Sequence, residues 1–176
     1  MTSTIRKAEP KDANALGHIQ VTSWRSALRN IASDEYLDHM VSAEHQADDW
    51  KENIADPEQV VYIAELNGEP VGYAWAHRED DETIRWDAEL ISMHILPEYK
   101  RQGLGRKLFA VAAKQLREQG CQSMYLWVLE ENHPSRKFYE ALGGELAGKH
   151  QIELGDRELI EVAYGWKDIR QLETVA

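Results

Sequence analysis

The chain has 176 residues, 43% of them hydrophobic and 29% charged, with a formal net charge of −11. No apolar run approaches the ~18–20 residues that a bilayer span needs, so no membrane partner is expected. Cys121 is the only cysteine, which excludes an internal disulfide, and the opening MTSTIRKAEPKD has no apolar signal region, so a cytoplasmic location is expected. Along the chain, residues 5–8 predict a short strand. Asp12 is placed to cap a helix whose apolar positions Leu16, Ile19, Trp24, Ala27 and Leu28 recur at helical spacing. Residues 30–33 break it, Asp34 opens a second short helix through Met40, and Ser42 opens a third that runs to about Ala55. Residues 60–66 and 71–77 predict strands joined at Asn67-Gly68, a hairpin signal. An acidic tip follows at 78–83, then a strand over 86–95 closed by Leu96-Pro97. Residues 104–119 form an amphipathic helix with Leu104, Leu108, Val111, Ala112 and Leu116 on one face. A strand at 123–129, a short helix at 134–142 ended by Gly143-Gly144, and strands at 145–154 and 158–166 complete a single mixed α/β domain.

The acidic excess is confined to one half. Residues 1–89 hold 8 Lys and Arg against 19 Asp and Glu, whereas residues 90–176 hold 12 of each. No basic patch dominates, which excludes nucleic acid as the main partner. The acidic half suits either the steering of a cationic small molecule or solubility alone. The lone Cys121 follows Gly120 at a helix-to-strand turn with no catalytic motif around it, so a structural role is expected. None of the seven histidines falls into a metal-ligand spacing such as H-E-x-x-H, and no metal is expected.

The most informative stretch is Lys100-Arg101-Gln102-Gly103-Leu104-Gly105, where a strand gives way to a glycine loop and a long helix. Unpaired amides at a helix start carry partial positive charge and cradle phosphate, and glycines let the backbone come close. Arg101, Arg106 and Lys107 add positive charge. The dinucleotide fingerprint G-x-G-x-x-G would need glycine where Leu108 stands, and no acidic ribose ligand occurs at Met124-Tyr125. The G-x-x-x-x-G-K-[ST] phosphate loop is absent. From these glycines alone, an ordinary strand–helix turn stays open.

The run L-P-E-Y-K-R-Q-G-L-G-R-K-L resembles the acetyl-CoA motif of the GNAT acetyltransferases, [Q/R]-x-x-G-x-[G/A], with Lys100 where Gln or Arg is usual. A second block carries the resemblance further: residues 126–132 ending in Asn132, then Ser135, Phe138-Tyr139 and Leu142-Gly143, with Gly144 in place of the usual Phe. The resemblance implies a mostly antiparallel twisted sheet of about seven strands flanked by helices, the acyl-CoA N-acyltransferase fold. Residues 1–58 would supply acceptor-side helices and 86–144 the acetyl-CoA-binding core.

It also implies roles. The strand Met93-His94-Ile95 would splay from its neighbour and pair with the pantetheine arm of acetyl-CoA, with an amide at or near Ile95 polarising the thioester carbonyl. Lys100, Arg101, Gln102, Gly103, Leu104, Gly105 and Arg106 would hold the pyrophosphate. Asn132 would hydrogen-bond the pantetheine arm, or cap the helix that follows it. Tyr139 would be the general acid for the leaving thiolate, or a core tyrosine. Glu89 would be the base that deprotonates the acceptor amine. Period-2 alternation without a bulge puts Glu89, Ile91, Met93 and Ile95 on one face, leaving the rival base His94 on the other. Trp24 and Tyr36 would wall the acceptor pocket. The implied activity is transfer of acetyl to a primary amine of a small, cationic molecule by direct attack in a ternary complex. A protein or peptide amine, or a non-catalytic acetyl-CoA-binding module, are the alternatives, and a homodimer is the default assembly.

Overall fold

The computed structural model describes residues 2–39 and 43–174. Seven strands form one sheet in the order β1-β2-β3-β4-β5-β7-β6, with β1 at Ser3–Lys7, β2 at Gln59–Leu66, β3 at Glu69–Arg78, β4 at Ala88–Ile95, β5 at Met124–Leu129, β6 at Glu145–Leu154 and β7 at Arg157–Trp166. Helices α1 (Ala13–Leu28), α2 (Asp34–His39), α3 (Ala43–Ala55), α4 (Leu104–Glu118) and α5 (His133–Ala141) complete it. The predicted order of elements is the observed one, and three single-turn 3₁₀ segments are added, the last at Ile169–Leu172. Met40 and Ser42, the expected end of α2 and start of α3, lie outside the described residues. No described helix is long and apolar enough to cross a membrane.

Local chemistry explains the turns. Asn67 and Gly68 both take positive φ, 53° and 87°, as a two-residue hairpin of matching twist requires. Asp12 sits at the head of α1 but does not cap it with its side chain. Its carboxylate instead accepts from Arg6 at 2.7 and 2.9 Å and from the Glu9 amide at 2.8 Å, while Arg6 also holds Glu65. That buried ion pair, chiefly the Arg6 hydrogen bonds, keeps the Asp12 carboxyl below the usual carboxylate range.

The sheet separates two main cores. On one side Leu104, Leu108, Phe109, Ala112 and Leu116 of α4 pack with Ala74, Ala76, Leu90 and Leu126, and Tyr139 of α5 joins them. On the other, Leu16 and Ile19 of α1 and Trp50 of α3 meet Val61, Ile63 and Tyr73. Trp50 stands edge-on to Tyr73 and Trp75, with ring centroids 4.8 and 5.2 Å apart. A third, small core joins α1 and α2 to the β6–β7 hairpin through Leu28, Ile31, Leu37 and Leu159.

Two irregularities shape the centre of the sheet. Every neighbouring pair is antiparallel except β4 and β5, which run parallel and share a single paired position, Glu89 with Tyr125. Beyond that pair the two strands part. Their joined end is latched by Asp87, whose carboxylate accepts from the amides of Gln122 (2.8 Å) and Ser123 (2.9 Å) and from the Ser123 hydroxyl (3.0 Å). Between β3 and β4 the register slips: Trp75 pairs with Ser92 and the next residue, Ala76, with Leu90, so Ile91 is an extra residue, a β-bulge.

Candidate active site

The bulge overturns the expected face assignment. Leu90 belongs to the α4 core, and Met93 and Ile95 pack against that same core. Glu89 therefore faces the α1 side, where it pairs across the ladder with His77. Ser92 and His94 share that face, since the Ser92 hydroxyl donates to Tyr73 Oη at 3.2 Å and the His94 ring lies 5.5 Å from the Tyr73 ring. Glu89 and His94 are thus on the same face, not on opposite ones, because one unpaired residue between them shifts the alternation by one.

His94 is neutral at physiological pH. Burial pushes its pKa down to about 4, with Lys100 adding to the effect. Glu89 has a different setting. Its Oε2 lies 3.5 Å from His77 Nε2, both side chains are about a quarter exposed, and the hydrogen bond to Glu89 raises the His77 pKa above the ordinary value. Glu79 joins them: the donor atoms of His77, Glu79 and Glu89 lie within 4.8 Å of one another, and the Tyr125 hydroxyl donates to Glu79 Oε2 at 3.1 Å. Among the described residues this is the one group with the donors to hold a metal ion, and it coincides with the candidate base. Sequence reading had not singled out His77, Glu79 or Tyr125. Their signal was pairing, because His77 and Tyr125 are the ladder partners of Glu89 on its two sides.

The parting of β4 from β5 frees backbone groups. The Leu96 amide donates to the Val71 carbonyl at 2.9 Å, which fixes the alternation of the β3–β4 ladder. By that alternation His94 bonds to Tyr73 of β3, and the N–H and C=O groups of Met93 and Ile95 point into the gap towards β5. The Ile95 carbonyl is taken by the hydroxyl of the buried Ser23 at 3.2 Å, a contact that fixes α1 to the mouth of the gap. The sheet interior thus presents an extended edge that a chain-like ligand can complete.

At the end of that edge the loop turns into α4. Arg101 and Gly103 both have positive φ, 64° and 80°, and Gly103 is the residue that caps the helix, with no side chain bonded over its first turn. The Lys107 amide reaches back to the Gly103 carbonyl, so the amides ahead of it sit at an open helix start. Lys100, Arg101, Gln102 and Arg106 are exposed around it, whereas Leu104 is a core residue. Lys107 turns away and donates to Ser3 Oγ at 2.8 Å. A Cβ on Gly105 would lie 3.3 Å from the Phe138 ring and 3.4 Å from Ile95, so this glycine lets α4, α5 and β4 meet. An open edge that leads to a basic, amide-lined helix start fits a ligand with an amide-bearing arm and a pyrophosphate.

Asn132 caps α5, its Oδ1 accepting from the Ser135 amide at 3.3 Å, and its Nδ2 makes no hydrogen bond among the described residues. Tyr139 lies on the inner face of α5 against Phe109, Tyr164 and Trp166. Its hydroxyl makes no hydrogen bond among the described residues, and burial pushes its pKa up to about 12. Gly144, the departure from the usual Phe, is explained by Trp166: a Cβ at Gly144 would sit 2.7 Å from that ring, which fills the space. Trp24 and Tyr36 pack in the small core under the β6–β7 hairpin, with Tyr36 against Gly155. Cys121 is 3% exposed and burial raises its thiol pKa, in keeping with a structural role.

The sequence profile of the acetyltransferase (GNAT) family matches residues 23–144, about two-thirds of the chain. The chain belongs to this family. It is an acetyl-CoA-dependent N-acetyltransferase. It is similar to the uncharacterized N-acetyltransferase YuaI of Bacillus subtilis, 33% identical over 98% of this chain and 97% of that one. It is also 25% identical to a putative ribosomal protein bS18-alanine N-acetyltransferase of the same organism, over 70% of this chain and 83% of that one. Among solved structures, the PaiA N-acetyltransferase of Thermoplasma acidophilum in complex with coenzyme A superposes with a TM-score of 0.77 at 19% identity, covering 94% of this chain and all of that one. The YncA putative acetyltransferase of Salmonella typhimurium with acetyl-CoA gives 0.73 at 24% identity, covering 94% of each chain. These likenesses share the fold, the mostly antiparallel seven-stranded sheet described above.

Proposed function

We propose that this acetyltransferase acts on a primary amine of a small, cationic molecule, by direct attack on the thioester of bound acetyl-CoA. The observation that carries the reading is the bulge at Ile91, which turns the Glu89 carboxylate to the α1 face at the one position where β4 and β5 still pair. Donor and acceptor then approach from different sides of the same gap.

Acetyl-CoA supplies the acetyl group as an activated thioester. The edge amides of Met93 and Ile95 orient its pantetheine arm, and the amide nearest the carbonyl stabilises the negative charge that develops there. The loop from Lys100 to Arg106 holds the pyrophosphate, and the free Nδ2 of Asn132 adds a contact to the arm. Glu89, paired with His77, takes the proton from the acceptor ammonium. Tyr139 gives its proton to the sulfur as the C–S bond breaks and the N–C bond forms, and the second proton that the nitrogen sheds on becoming an amide returns through solvent to the Tyr139 phenolate. A phenol whose pKa is pushed up to about 12 stays protonated at working pH, as an acid must. Holding both reactants in one cleft removes much of the entropic barrier.

Glu79 and Glu89 concentrate negative charge beside the candidate base, which attracts the ammonium of any acceptor. A small acceptor is supported by the α1–α2 corner, which is closed onto the β6–β7 hairpin and Leu129 by the Arg157 bond to the Ile31 carbonyl (2.7 Å) and by Tyr36 on Gly155. A panel of small amines and N-terminal peptides, read by release of free thiol from acetyl-CoA, tests this. Turnover with small amines and none with peptides is the expected result, and the reverse assigns the enzyme to protein N-termini.

A further inference from the structure

Beside the carboxylates lies a hollow of about 260 Å³ on the same face of the sheet. Trp86, Tyr125 and Trp127 wall it, and Ala147 and Ala163 form its floor. The Trp86 and Tyr125 rings lie nearly parallel with centroids 6.4 Å apart, and Trp127 stands at 88° to Tyr125 at 6.5 Å. The floor is built to admit them. A Cβ on Gly165 would lie 2.3 Å from the Trp86 ring, so only glycine lets that indole rest on β7. Trp86 and Trp127 are only partly covered, as are Trp24 and Trp75, whereas Trp50 and Trp166 are 1% exposed. Here two of the partly covered indoles stand around one open space.

Tyr125 joins this hollow to the acceptor carboxylates. Its ring is a wall, its hydroxyl donates to Glu79, and its backbone is the ladder partner of Glu89. Arg85 lies over the Trp86 ring at 5.1 Å, while Glu79 and Glu89 lie beyond Tyr125. An ammonium at the Tyr125 end has these two carboxylates as its nearest anionic partners. For size, an apolar cavity of about 150 Å³ already takes a benzene ring. The hollow has room for a ring and a short linker, with aromatic walls that favour a flat, polarisable group.

We propose that the acceptor is an arylalkylamine, its ring held between Trp86, Tyr125 and Trp127 and its ammonium delivered to Glu79 and Glu89. This deepens the reading of Glu89 as the acceptor base and rests on it. Trp86 and Trp127 are then specificity residues that touch the acceptor and not the donor.

The test compares phenethylamine, n-butylamine and spermidine as acceptors for the full chain with acetyl-CoA, by thiol release. Phenethylamine should exceed the other two in kcat/KM by at least tenfold. Trp127→Ala and, separately, Trp86→Ala should each remove most of that preference by raising KM for phenethylamine, with n-butylamine unchanged, and Trp127→Phe should keep it. Equal rates for phenethylamine and n-butylamine, a preference for spermidine, or a preference that survives both alanine variants overturns the proposal. If no amine releases thiol, acetyl transfer to small amines is what fails. The hollow is then judged by quenching of the Trp86 and Trp127 fluorescence in the presence of CoA: saturable quenching by phenethylamine and none by n-butylamine upholds it, and no quenching by either overturns it.

Discussion

Replacing Tyr139 with phenylalanine separates chemistry from packing, because the structure gives the ring and the hydroxyl different work. The ring packs against Phe109, Phe138, Tyr164 and Trp166, contacts that phenylalanine keeps. The hydroxyl has no hydrogen-bond partner among the described residues, so its loss leaves no donor or acceptor stranded. Tyr139→Phe should therefore change stability by less than about 0.5 kcal/mol, roughly 1–2 °C in Tm for a chain of this size. If the hydroxyl protonates the departing thiolate, turnover should fall about 10²-fold, equivalent to about 2.7 kcal/mol of barrier. The pH profile adds a second reading. With a pKa of about 12, Tyr139 remains protonated throughout the accessible range, so the variant should lower the whole kcat profile without moving its limbs. Thiol release against pH and thermal melts measure both quantities. Wild-type turnover in Tyr139→Phe would return the residue to a packing role, and a fall of many degrees in Tm would refute the separation itself.

Glu89→Gln should lower kcat/KM by about 10²–10³-fold while leaving the Kd for CoA unchanged, and wild-type kcat/KM would remove Glu89 from the mechanism. The same change removes the charge that raises the His77 pKa, so the imidazole should titrate nearer its ordinary value, and an NMR titration that does not move would contradict the pairing. A raised histidine pKa stabilises the fold fully below the ordinary value of about 6.5, and the contribution is lost as pH rises through the raised one. The stability gap between wild type and Glu89→Gln should thus be widest near pH 5.5 and shrink towards pH 9. Gly105→Val places methyl groups where even a Cβ meets Phe138 at 3.3 Å; we expect a loss of about 1–3 kcal/mol in thermal or denaturant melts and at least tenfold weaker CoA binding by calorimetry. Chelation of divalent ions should leave turnover unchanged, since both proton transfers are assigned to side chains, and activity that is lost with chelator and restored by Zn²⁺ would put an ion on His77, Glu79 and Glu89.

The elements were legible because each carries its own periodicity and punctuation: the helical stripe of α4, Asn67-Gly68 in its hairpin, Gly143 after α5. The candidate phosphate loop from Lys100 to Gly105 stood out because its glycines and cations are contiguous in the chain. The proposed acceptor side was not, because His77, Glu89 and Tyr125 come from three strands and Glu79 from the residue after β3, and they converge only through register. The Asp87 latch is of the same kind, a side chain that closes onto a turn about 35 residues away. The bulge was hidden as well: in A-E-L-I-S-M-H-I the apolar residues fall at 88, 90, 91, 93 and 95, so Ile91 completes an unbroken alternation with 93 and 95, and only the pairing with β3 marks it as the extra residue.

The side chains of β4 explain why the bulge persists. Without it, strict alternation from Ala88 and Leu90 would carry Ser92 and His94 into the α4 core and turn Met93 and Ile95 towards α1 and Tyr73. Ser92 would lose its bond to Tyr73 Oη, and burying its hydroxyl and the imidazole without partners costs roughly 1–3 kcal/mol each. A bulge sacrifices about one ladder hydrogen bond, worth about 1 kcal/mol net. The balance favours the bulge by about 1–5 kcal/mol, and it is set by which side chains of β4 find partners on each face. The proposed catalytic geometry is then a by-product of satisfying the core: the strand packs on α4 through Leu90, Met93 and Ile95, keeps the amides of Met93 and Ile95 in the gap, and still presents Glu89 on the opposite face to the α4 core. In the proposed mechanism donor and acceptor meet on one strand because its two halves are out of phase by a single residue.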